Sequence, residues 1–155
     1  MSGSGELRQL DYEALAEFRY QIRRFLHFSE QAAREAGVEP QHHQLMLALR
    51  GMPGHNGARI ADLAECLCIQ HHSAVELVGR LEERGLVERI RSQEDRREVY
   101  VKLTARGERI LRHLTLHHRD ELRSSGPSLV AALQKVIGEM SVRRQIPRRN
   151  EVGRL

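Results

Sequence analysis

Apolar side chains recur every three or four positions through the first third of the chain, which is the repeat of an amphipathic helix. The first such helix is predicted to open near Asp11 and to be stopped by Gly37, a residue that suits a helix end. A second helix is predicted from Pro40, whose fixed φ fits the first helical position, to Gly51. The residues predicted to face inward are Leu15, Phe18, Ile22, Phe25, Ser29 and Ala32 in the first helix and Leu45, Met46 and Leu49 in the second.

Two shorter helices are predicted after the loop of glycine and proline at residues 51–57. A break at residues 68–70 separates the third helix from the fourth, and Gly85 is predicted to end the fourth. Two short helices joined by a tight turn indicate a helix-turn-helix. The residues expected to be buried are Ile60, Leu63, Ala64 and Leu67 in the third helix and Ala74, Leu77, Val78 and Leu81 in the fourth.

The apolar period changes to two after Gly85, which is typical of strands. Residues 86–91 and 99–103 are predicted to be strands, and an entirely polar loop at residues 92–98 joins them. A hairpin with a charged tip directly after a helix-turn-helix predicts a winged helix-turn-helix. In that arrangement one helix enters the DNA major groove and the wing reaches the adjacent minor groove. The expected fold class is therefore mainly α with a small β-hairpin wing.

A fifth helix is predicted to start after Thr104, which can cap it, and to run through Leu122. The stretch Ser124-Ser125-Gly126-Pro127 is predicted to break this helix, and Ser128 to cap a last one. We expect a disordered leader over residues 1–10 and a basic tail over residues 147–155. A single domain is predicted over residues 11–146, with the winged helix-turn-helix at about residues 40–103.

Composition narrows the class of protein further. The 155 residues carry a formal net charge of +4, and residues 104–155 hold eleven basic against five acidic side chains. A basic surplus permits nucleic-acid binding but does not locate the binding surface. No stretch approaches the roughly 18 uninterrupted apolar residues of a membrane helix, and no apolar signal core opens the chain. Two cysteines this close together do not make a disulfide framework, so a reducing, cytoplasmic setting is expected.

Four segments, taken in order, carry a resemblance to a known family. They are Ile60-Ala61-Asp62-Leu63-Ala64, Leu77-Val78-Gly79-Arg80-Leu81-Glu82-Glu83-Arg84-Gly85-Leu86-Val87, Glu94-Asp95-Arg96-Arg97 and Val101-Lys102-Leu103-Thr104-Ala105-Arg106-Gly107. Together they resemble the multiple antibiotic resistance regulator (MarR) family. The resemblance implies a cytoplasmic homodimer that binds double-stranded DNA and regulates transcription, with dimerisation helices over about residues 11–36 and 104–144.

An enzyme is not expected, and neither is a cofactor. The chain has no Gly-rich phosphate loop, no nucleophile elbow and no His-Glu-x-x-His motif. The expected function is that of a ligand-responsive repressor acting as a homodimer on a pseudo-palindromic operator. The operator, the regulated genes and the choice between repression and activation are not given by the sequence.

The resemblance implies that the wing and the fourth helix read DNA. In the wing, the family pattern Asp-x-Arg falls on Asp95 and Arg97; the Asp orients the Arg, which enters the minor groove, and Arg96 assists at the DNA backbone. On the fourth helix, polar side chains can read base edges, Val75 can touch a thymine methyl and Glu76 can accept from a cytosine amino group. The exposed face of that helix comprises Gln70, His71, His72, Ser73, Val75, Glu76 and Arg80.

Many members of the family bind small aromatic acids in a crevice between the dimerisation helices and the reading module. For this chain the resemblance implies such a crevice along the first, second and fifth helices, with a small aromatic or phenolic effector. An arginine or histidine beside an apolar slot suits a carboxylate or a phenol. The residues expected to line it are Arg24, Phe25, Phe28, His42, His43, His113 and His117.

A metal site remains an alternative use of the histidines. His113 and His117 stand at i and i+4 on one helix face, which is a spacing of metal ligands. His42 or His43 could complete a site, as in zinc-responsive relatives. No carboxylate or thiol is obviously placed with them, so no metal ligands are assigned.

Two further alternatives concern the cysteines and the mode of DNA binding. Cys66 and Cys68 flank the inward-facing Leu67, so we expect both to be buried as small apolar fillers. Their closeness to the fourth helix leaves redox control of DNA binding open. The same fold could also serve an accessory DNA-binding protein without sequence preference, which would bind any duplex in a salt-dependent way.

Overall fold

The computed structural model describes residues 7–54 and 57–144. Within them the chain is mainly helical with a two-stranded antiparallel hairpin, which confirms the predicted fold class. No helix in the described part of the chain is long and apolar enough to cross a membrane. The elements are α1 (Gln9–Glu35), α2 (Pro40–Gly51), α3 (Ile60–Cys66), α4 (His71–Glu83), β1 (Val87–Arg91), β2 (Val99–Leu103) and α5 (Ala105–Arg144).

Helix α1 begins slightly before its predicted start near Asp11. The Asp11 carboxylate accepts a hydrogen bond from the Arg8 backbone N–H at 2.7 Å. An acidic residue at the third helical position that reaches back in this way is half of a capping box, so the helix starts at Gln9. The remainder of the predicted leader, residues 1–6, and the predicted basic tail at residues 147–155 lie outside the described residues.

Glycines end α1 and α4, as the sequence predicts. Gly37 after α1 has φ +75°, and Gly85 after α4 has φ +69°. The residue after each glycine donates its N–H back into the helix, from Val38 to Ala33 O at 2.9 Å and from Leu86 to Leu81 O at 3.0 Å. This left-handed ending satisfies carbonyls that a helix end would otherwise leave unpaired.

The described chain divides into two compact units. One combines the residues up to His27 with those from Glu121 onward, and the other runs from Phe28 to Asp120. The second unit holds the apolar core of the winged helix-turn-helix, built from α2, α3, α4 and the hairpin. Its fully buried large side chains include Leu45, Met46, Leu63, Val78, Leu81, Leu86 and Val101.

The hairpin is attached to the start of α3 at its base. Strands β1 and β2 pair in register from Val87 with Leu103 to Arg91 with Val99. Ala58 adds a bridge to Val101 through two backbone hydrogen bonds of 2.8 and 3.0 Å. Gly57 has φ +93°, and a Cβ there would overlap the Val101 carbonyl. The wing is therefore held at a fixed position beside the helix-turn-helix.

The predicted break in the C-terminal helix is wrong. Helix α5 runs for 40 residues with Pro127 inside it, so Ser128 is an internal residue and does not cap a helix. Proline removes one hydrogen bond of the helix, but the turns on either side remain. In the turn before Pro127, the Ser125 hydroxyl donates to Glu121 O at 3.0 Å. The predicted cap at the other end is confirmed, because Gly107 N–H donates to the Thr104 hydroxyl at 3.1 Å.

The first unit leaves many large apolar side chains in contact with solvent. Leu15, which the apolar repeat predicts to face inward, is 53% exposed, and Val130 on α5 is 54% exposed. A single chain therefore does not cover this apolar surface. Other exposed apolar residues of this unit are Leu10, Tyr12, Tyr20, Leu26, Leu122 and Leu133.

Candidate nucleic-acid interface

The turn between α3 and α4 sets the direction of α4. Cys68 N–H donates to Glu65 O and Ile69 N–H to Ala64 O, both at 3.0 Å, in the pattern that ends many helices. Cys68 has φ +54°, a left-handed conformation in which glycine is the usual residue. The prediction that Cys66 and Cys68 are buried is wrong, since both thiols are exposed. Of Cys66, Leu67 and Cys68, only Leu67 packs against the core, because each step along a helix turns the side chain by about 100°.

Helix α4 buries one face and exposes the other. Ala74, Leu77, Val78 and Leu81 are buried, as predicted. On the opposite side Ser73 is half-buried, and the side chains of Gln70, His71, His72, Val75, Glu76 and Arg80 are exposed. Gln70 is the N-cap residue, but its side chain makes no cap hydrogen bond, so its amide is not used within the helix. This face can approach a surface such as the edge of a base pair.

A cavity of about 320 Å³ lies between α2 and α4 on this side of the unit. Ser73, Glu76 and Arg80 line it from α4. Gln41 and Gln44 line it from α2, and sequence reasoning did not single them out. The signal available for finding them was their spacing of three, which places these two polar side chains one turn apart on the exposed side of α2.

The wing tip is shaped by short polar hydrogen bonds. The Asp95 carboxylate accepts from the Arg97 backbone N–H at 2.9 Å. The Ser92 hydroxyl accepts from the backbone N–H groups of Glu94 and Asp95, at 3.2 and 3.3 Å. Asp95 thus holds the backbone of Arg97 and not its guanidinium group. Among the described residues, neither Arg96 nor Arg97 forms an ion pair, and both side chains are exposed.

The base of the wing carries a small network of charges. Arg59, just before α3, lies 3.1 Å from the Asp62 carboxylate and 4.0 Å from that of Glu98. The Tyr100 hydroxyl donates to Glu98 at 2.8 Å, and this hydrogen bond raises the pKa of Tyr100. On the other strand, Arg89 lies 3.9 Å from the Glu82 carboxylate of α4. These contacts join both strands to the helix-turn-helix.

A histidine and phenylalanine cluster occupies the second unit away from the wing. The Phe28 ring meets the rings of His117 and His118 edge-on, with centroids 5.1 and 5.4 Å apart. The His43 ring lies 4.8 Å from that of His118. His43 is buried, and burial together with the neighbouring His118 lowers its pKa to about 4. His43 is therefore uncharged at neutral pH.

His118 is the member of the cluster that sequence reasoning missed. Its Nδ1 lies 2.7 Å from Leu114 O, and a carbonyl can only accept, so Nδ1 carries the hydrogen. In the neutral ring Nε2 then accepts from the Ser29 hydroxyl, at 2.8 Å. The available signal was the spacing of four from Leu114, which places His118 on the buried face of α5.

Four further residues were predicted to line the effector crevice. His113 lies next to His117, with ring centroids 6.4 Å apart. His42 lines another cavity of about 370 Å³ with Arg34, Glu39 and Arg80. Its Nδ1 is buried without a hydrogen-bond partner, and burial followed by the charge of Arg84 lowers its pKa. Arg24 and Phe25 belong to the first unit, where the Arg24 guanidinium lies 5.9 Å from the centre of the Tyr20 ring.

No metal site emerges from these histidines. The described part of the chain contains no group of three or more His, Cys, Asp or Glu side chains placed to hold an ion.

Comparison with protein families gives a match to the MarR family over residues 36–98. The chain is 45% identical over 49 residues to the HTH-type transcriptional regulator FarR of Neisseria gonorrhoeae, which is 32% of this chain and 34% of that protein. It is 37% identical over 75 residues to the uncharacterized HTH-type transcriptional regulator YfiV of Bacillus subtilis, which is 48% of this chain and 44% of the relative. The matched segments thus span less than half the length of these curated relatives.

Solved structures share the fold over most of the chain. AbsC, a MarR family transcriptional regulator from Streptomyces coelicolor, matches with a TM-score of 0.70 at 20% identity, covering 92% of this chain and 99% of that one. A MepR mutant of S. aureus bound to an oligodeoxyribonucleotide matches with a TM-score of 0.63 at 17% identity, covering 87% and 99%. BpsR of Bordetella bronchiseptica, whose DNA binding is regulated by 6-hydroxynicotinic acid, matches with a TM-score of 0.59 at 20% identity, covering 79% and 89%. Residues 36–98 of the chain therefore match the MarR family, and the chain shares its fold with solved structures described as regulators of that family.

Proposed function

We propose that this protein is a sequence-specific, double-stranded DNA-binding transcriptional regulator that acts as a homodimer. The observation that carries the proposal is the pairing, in one compact unit, of an exposed polar face on α4 with an exposed arginine pair at the wing tip. The major groove admits a helix, and the adjacent minor groove attracts arginine.

Helix α4 is the proposed reading helix. Gln70, His72 and Ser73 lie at its N-terminal end, where side chains of a recognition helix reach base edges. His71 and Arg80 can contact phosphates, while Val75 suits a thymine methyl and Glu76 a cytosine amino group. The carboxylate of Glu76 also repels phosphate, so it favours a small number of sequences over general attraction to DNA.

The wing is proposed to supply much of the attraction to the DNA backbone. Arg97 enters the minor groove, Arg96 contacts phosphate, and Asp95 fixes the backbone turn that presents both of them. Because neither guanidinium forms an ion pair within the described chain, neither has an internal contact to give up on binding.

A second copy of the chain is the proposed cover for the apolar surface of the first unit. Leu15 and Val130 are about half exposed in the single chain, and burying such side chains stabilises an interface. A two-fold dimer presents two α4 helices, so the proposed operator is a pseudo-palindrome with half-sites about one helical turn apart.

Ligand-responsive repression is the proposed mode of regulation. The BpsR neighbour responds to 6-hydroxynicotinic acid, an aromatic acid. In this chain Phe28, His43 and His117 form an aromatic, partly buried cluster that suits a small aromatic or phenolic effector. A ligand there would shift the population of DNA-binding conformations by its different affinity for each.

Selection of bound duplexes from a random pool, at near-physiological salt, tests the central proposal. We expect enrichment of a pseudo-palindrome. Recovery of no motif, together with binding that collapses uniformly as salt rises, would instead support the accessory, non-sequence-specific class.

The wing is tested with the selected operator. Arg97→Ala should weaken binding by roughly tenfold or more, because a minor-groove arginine is lost. Arg23→Ala, which removes an exposed arginine from α1, is the matched control and should bind normally. Equal affinity of Arg97→Ala and the unaltered protein would show that the wing assignment is wrong.

A further inference from the structure

The N-terminus of α2 has no side-chain cap. Glu39 occupies the N-cap position with φ −62° and ψ 142°, but its side chain makes no cap hydrogen bond, and Pro40 follows at the first helical position without a backbone N–H. Within the described chain, the backbone N–H groups of Gln41 and His42 donate to no acceptor. The next N–H, that of His43, donates to Glu39 O at 3.1 Å. Two adjacent donors therefore remain for an acceptor from outside the helix.

The side chain of His42 also lacks a partner at this helix end. It is 5% exposed, and its Nδ1 is buried with no hydrogen-bond partner among the described residues. A buried polar atom without a partner destabilises the fold, and a hydrogen bond to a bound group would offset that cost. The ring lines the cavity of about 370 Å³ that Pro40 and Gln41 also line. A group bound in this cavity can therefore serve both the ring and the free backbone donors.

The charges around His42 favour an anion. Burial lowers the pKa of His42 most; the charge of Arg84 lowers it further, that of Glu39 raises it by less, and that of Arg80 lowers it again. The electrostatic potential at the ring is therefore positive, because the effect of Arg84 alone exceeds that of Glu39.

The donors at this cavity belong to different groups and point to an anion with several oxygens. The backbone of α2 supplies two N–H groups, the His42 ring supplies one nitrogen, and Arg80 of α4 supplies a guanidinium group. Arg34 also lines the cavity, but it lies 3.7 Å from Glu30 and is neutralised. A phosphate group presents three strong acceptor oxygens in different directions, whereas a carboxylate presents two in one plane. Free N–H groups at a helix N-terminus suit phosphate in the same way.

This cavity adjoins the exposed face of α4. Gln41 and Arg80 line both this cavity and the one of about 320 Å³, which Ser73 and Glu76 of α4 also line. A phosphate of a DNA strand lying along α4 can therefore reach the N-terminus of α2.

We propose that the N-terminus of α2 is a phosphate site, held by the backbone N–H groups of Gln41 and His42, the His42 ring and the Arg80 guanidinium. His42 carries its hydrogen on Nδ1 in this arrangement, because ionised phosphate oxygens only accept. The phosphate comes either from the DNA backbone or from a free phosphate ion. The first source rests on the proposed DNA function, and the second does not.

Inorganic phosphate is the first probe, titrated into the full chain without DNA at constant ionic strength and followed through backbone amide resonances. We expect saturable shifts of the Gln41 and His42 resonances in the millimolar range, and at least roughly tenfold weaker binding of acetate. Equal binding of acetate would overturn the proposal.

The operator obtained by duplex selection separates the two sources. Shifts of the Gln41 and His42 resonances on operator binding assign the site to a DNA phosphate, and shifts with inorganic phosphate alone assign it to a free phosphate ion. Absence of shifts with both would overturn the proposal. If selection yields no operator, the proposed function fails, while the titration with inorganic phosphate still decides the site.

Glu39→Asp tests the free helix end without a change of charge. Aspartate is a favoured N-cap residue, because its shorter side chain accepts from the backbone N–H two or three residues later, here that of Gln41 or His42. The new cap competes with the ligand, so the affinity for the phosphate source found above should fall by roughly tenfold. Unchanged affinity would contradict the use of these donors and overturn the proposal.

His42→Phe keeps an aromatic ring and removes Nδ1. We expect this variant to fold at least as stably as the unaltered protein, because it deletes a buried polar atom that has no partner within the described chain. Its affinity for phosphate should fall by roughly tenfold. His27→Phe makes the same change at an exposed position of α1 and should leave the affinity unaltered. Unchanged affinity in His42→Phe, or equal losses in both variants, would overturn the proposal.

Discussion

His43 shows how a single side chain can be tuned by its neighbours. It is 4% exposed, and its ring faces His118, whose Nδ1 hydrogen is held by a backbone carbonyl. Desolvation and the adjacent imidazole both disfavour the charged form, which is why the pKa falls to about 4. An unfolded chain has no such environment, so its histidine titrates near 6.5.

Acidification should therefore destabilise the fold through His43. Below about pH 6.5 the unfolded chain binds a proton that the folded chain binds only near pH 4, so stability is full above 6.5 and is lost as the pH falls towards 4. The contribution of this group is on the order of 2 kcal/mol. Urea denaturation at neutral pH and near about pH 5 measures it.

His43→Phe keeps an aromatic ring and should make the free energy of unfolding less sensitive to pH in this range. His42 remains in that variant with a lowered pKa and will leave part of the dependence. His27→Phe changes an exposed histidine and should leave the pH dependence intact. An identical pH dependence in His43→Phe and the unaltered protein would contradict the role given to His43.

At the scale of helices and strands, prediction succeeded where one residue fixes the backbone. Gly37 and Gly85 end helices because they adopt positive φ, and the change of apolar period after Gly85 marks the hairpin. Prediction failed at Pro127, because the hydrogen bonds of the surrounding turns of α5 stabilise the helix more than one proline destabilises it. The burial of single side chains also could not be predicted from the sequence. Cys66 is exposed and His118 is partly buried, because burial depends on which side of a helix packs against the core.

Pro127 should make α5 less stable than its length allows. Replacing it by alanine restores one backbone hydrogen bond and removes a ring that crowds the preceding turn, so Pro127→Ala should raise stability by about 1 to 3 kcal/mol. Thermal unfolding measures the change, and Ser128→Ala provides a neighbouring control with an effect of a few tenths. A lower melting temperature for Pro127→Ala would show that the protein requires the irregularity.

The whole molecule has an uneven distribution of apolar surface. The second unit encloses its core, whereas the first exposes large apolar side chains along both of its helical segments. A surface of that kind is typical of a site of association. The sequence indicated Leu15 as inward-facing, and a second chain is the proposed reason that a single chain leaves it exposed.

Val130→Glu places a charge within this surface and should shift the protein towards monomers, because an unpaired carboxylate would have to be desolvated at the interface. Sedimentation velocity over a range of concentrations measures the shift. Ser128→Glu adds the same charge at a polar position on the same helix and should alter association less. Unchanged association of Val130→Glu would exclude this surface from the dimer contact.

Thr104 links two helices through a single oxygen atom. Its hydroxyl donates to Gly85 O at 2.7 Å and accepts from Gly107 N–H at 3.1 Å, while Arg106 donates to Arg84 O at 2.8 Å. A Cβ at Gly107 would overlap the Leu86 carbonyl, so the two backbones already touch. In mechanical terms this is a locked joint: α5 cannot roll about its axis at its first turn without carrying the end of α4 along or breaking these bonds.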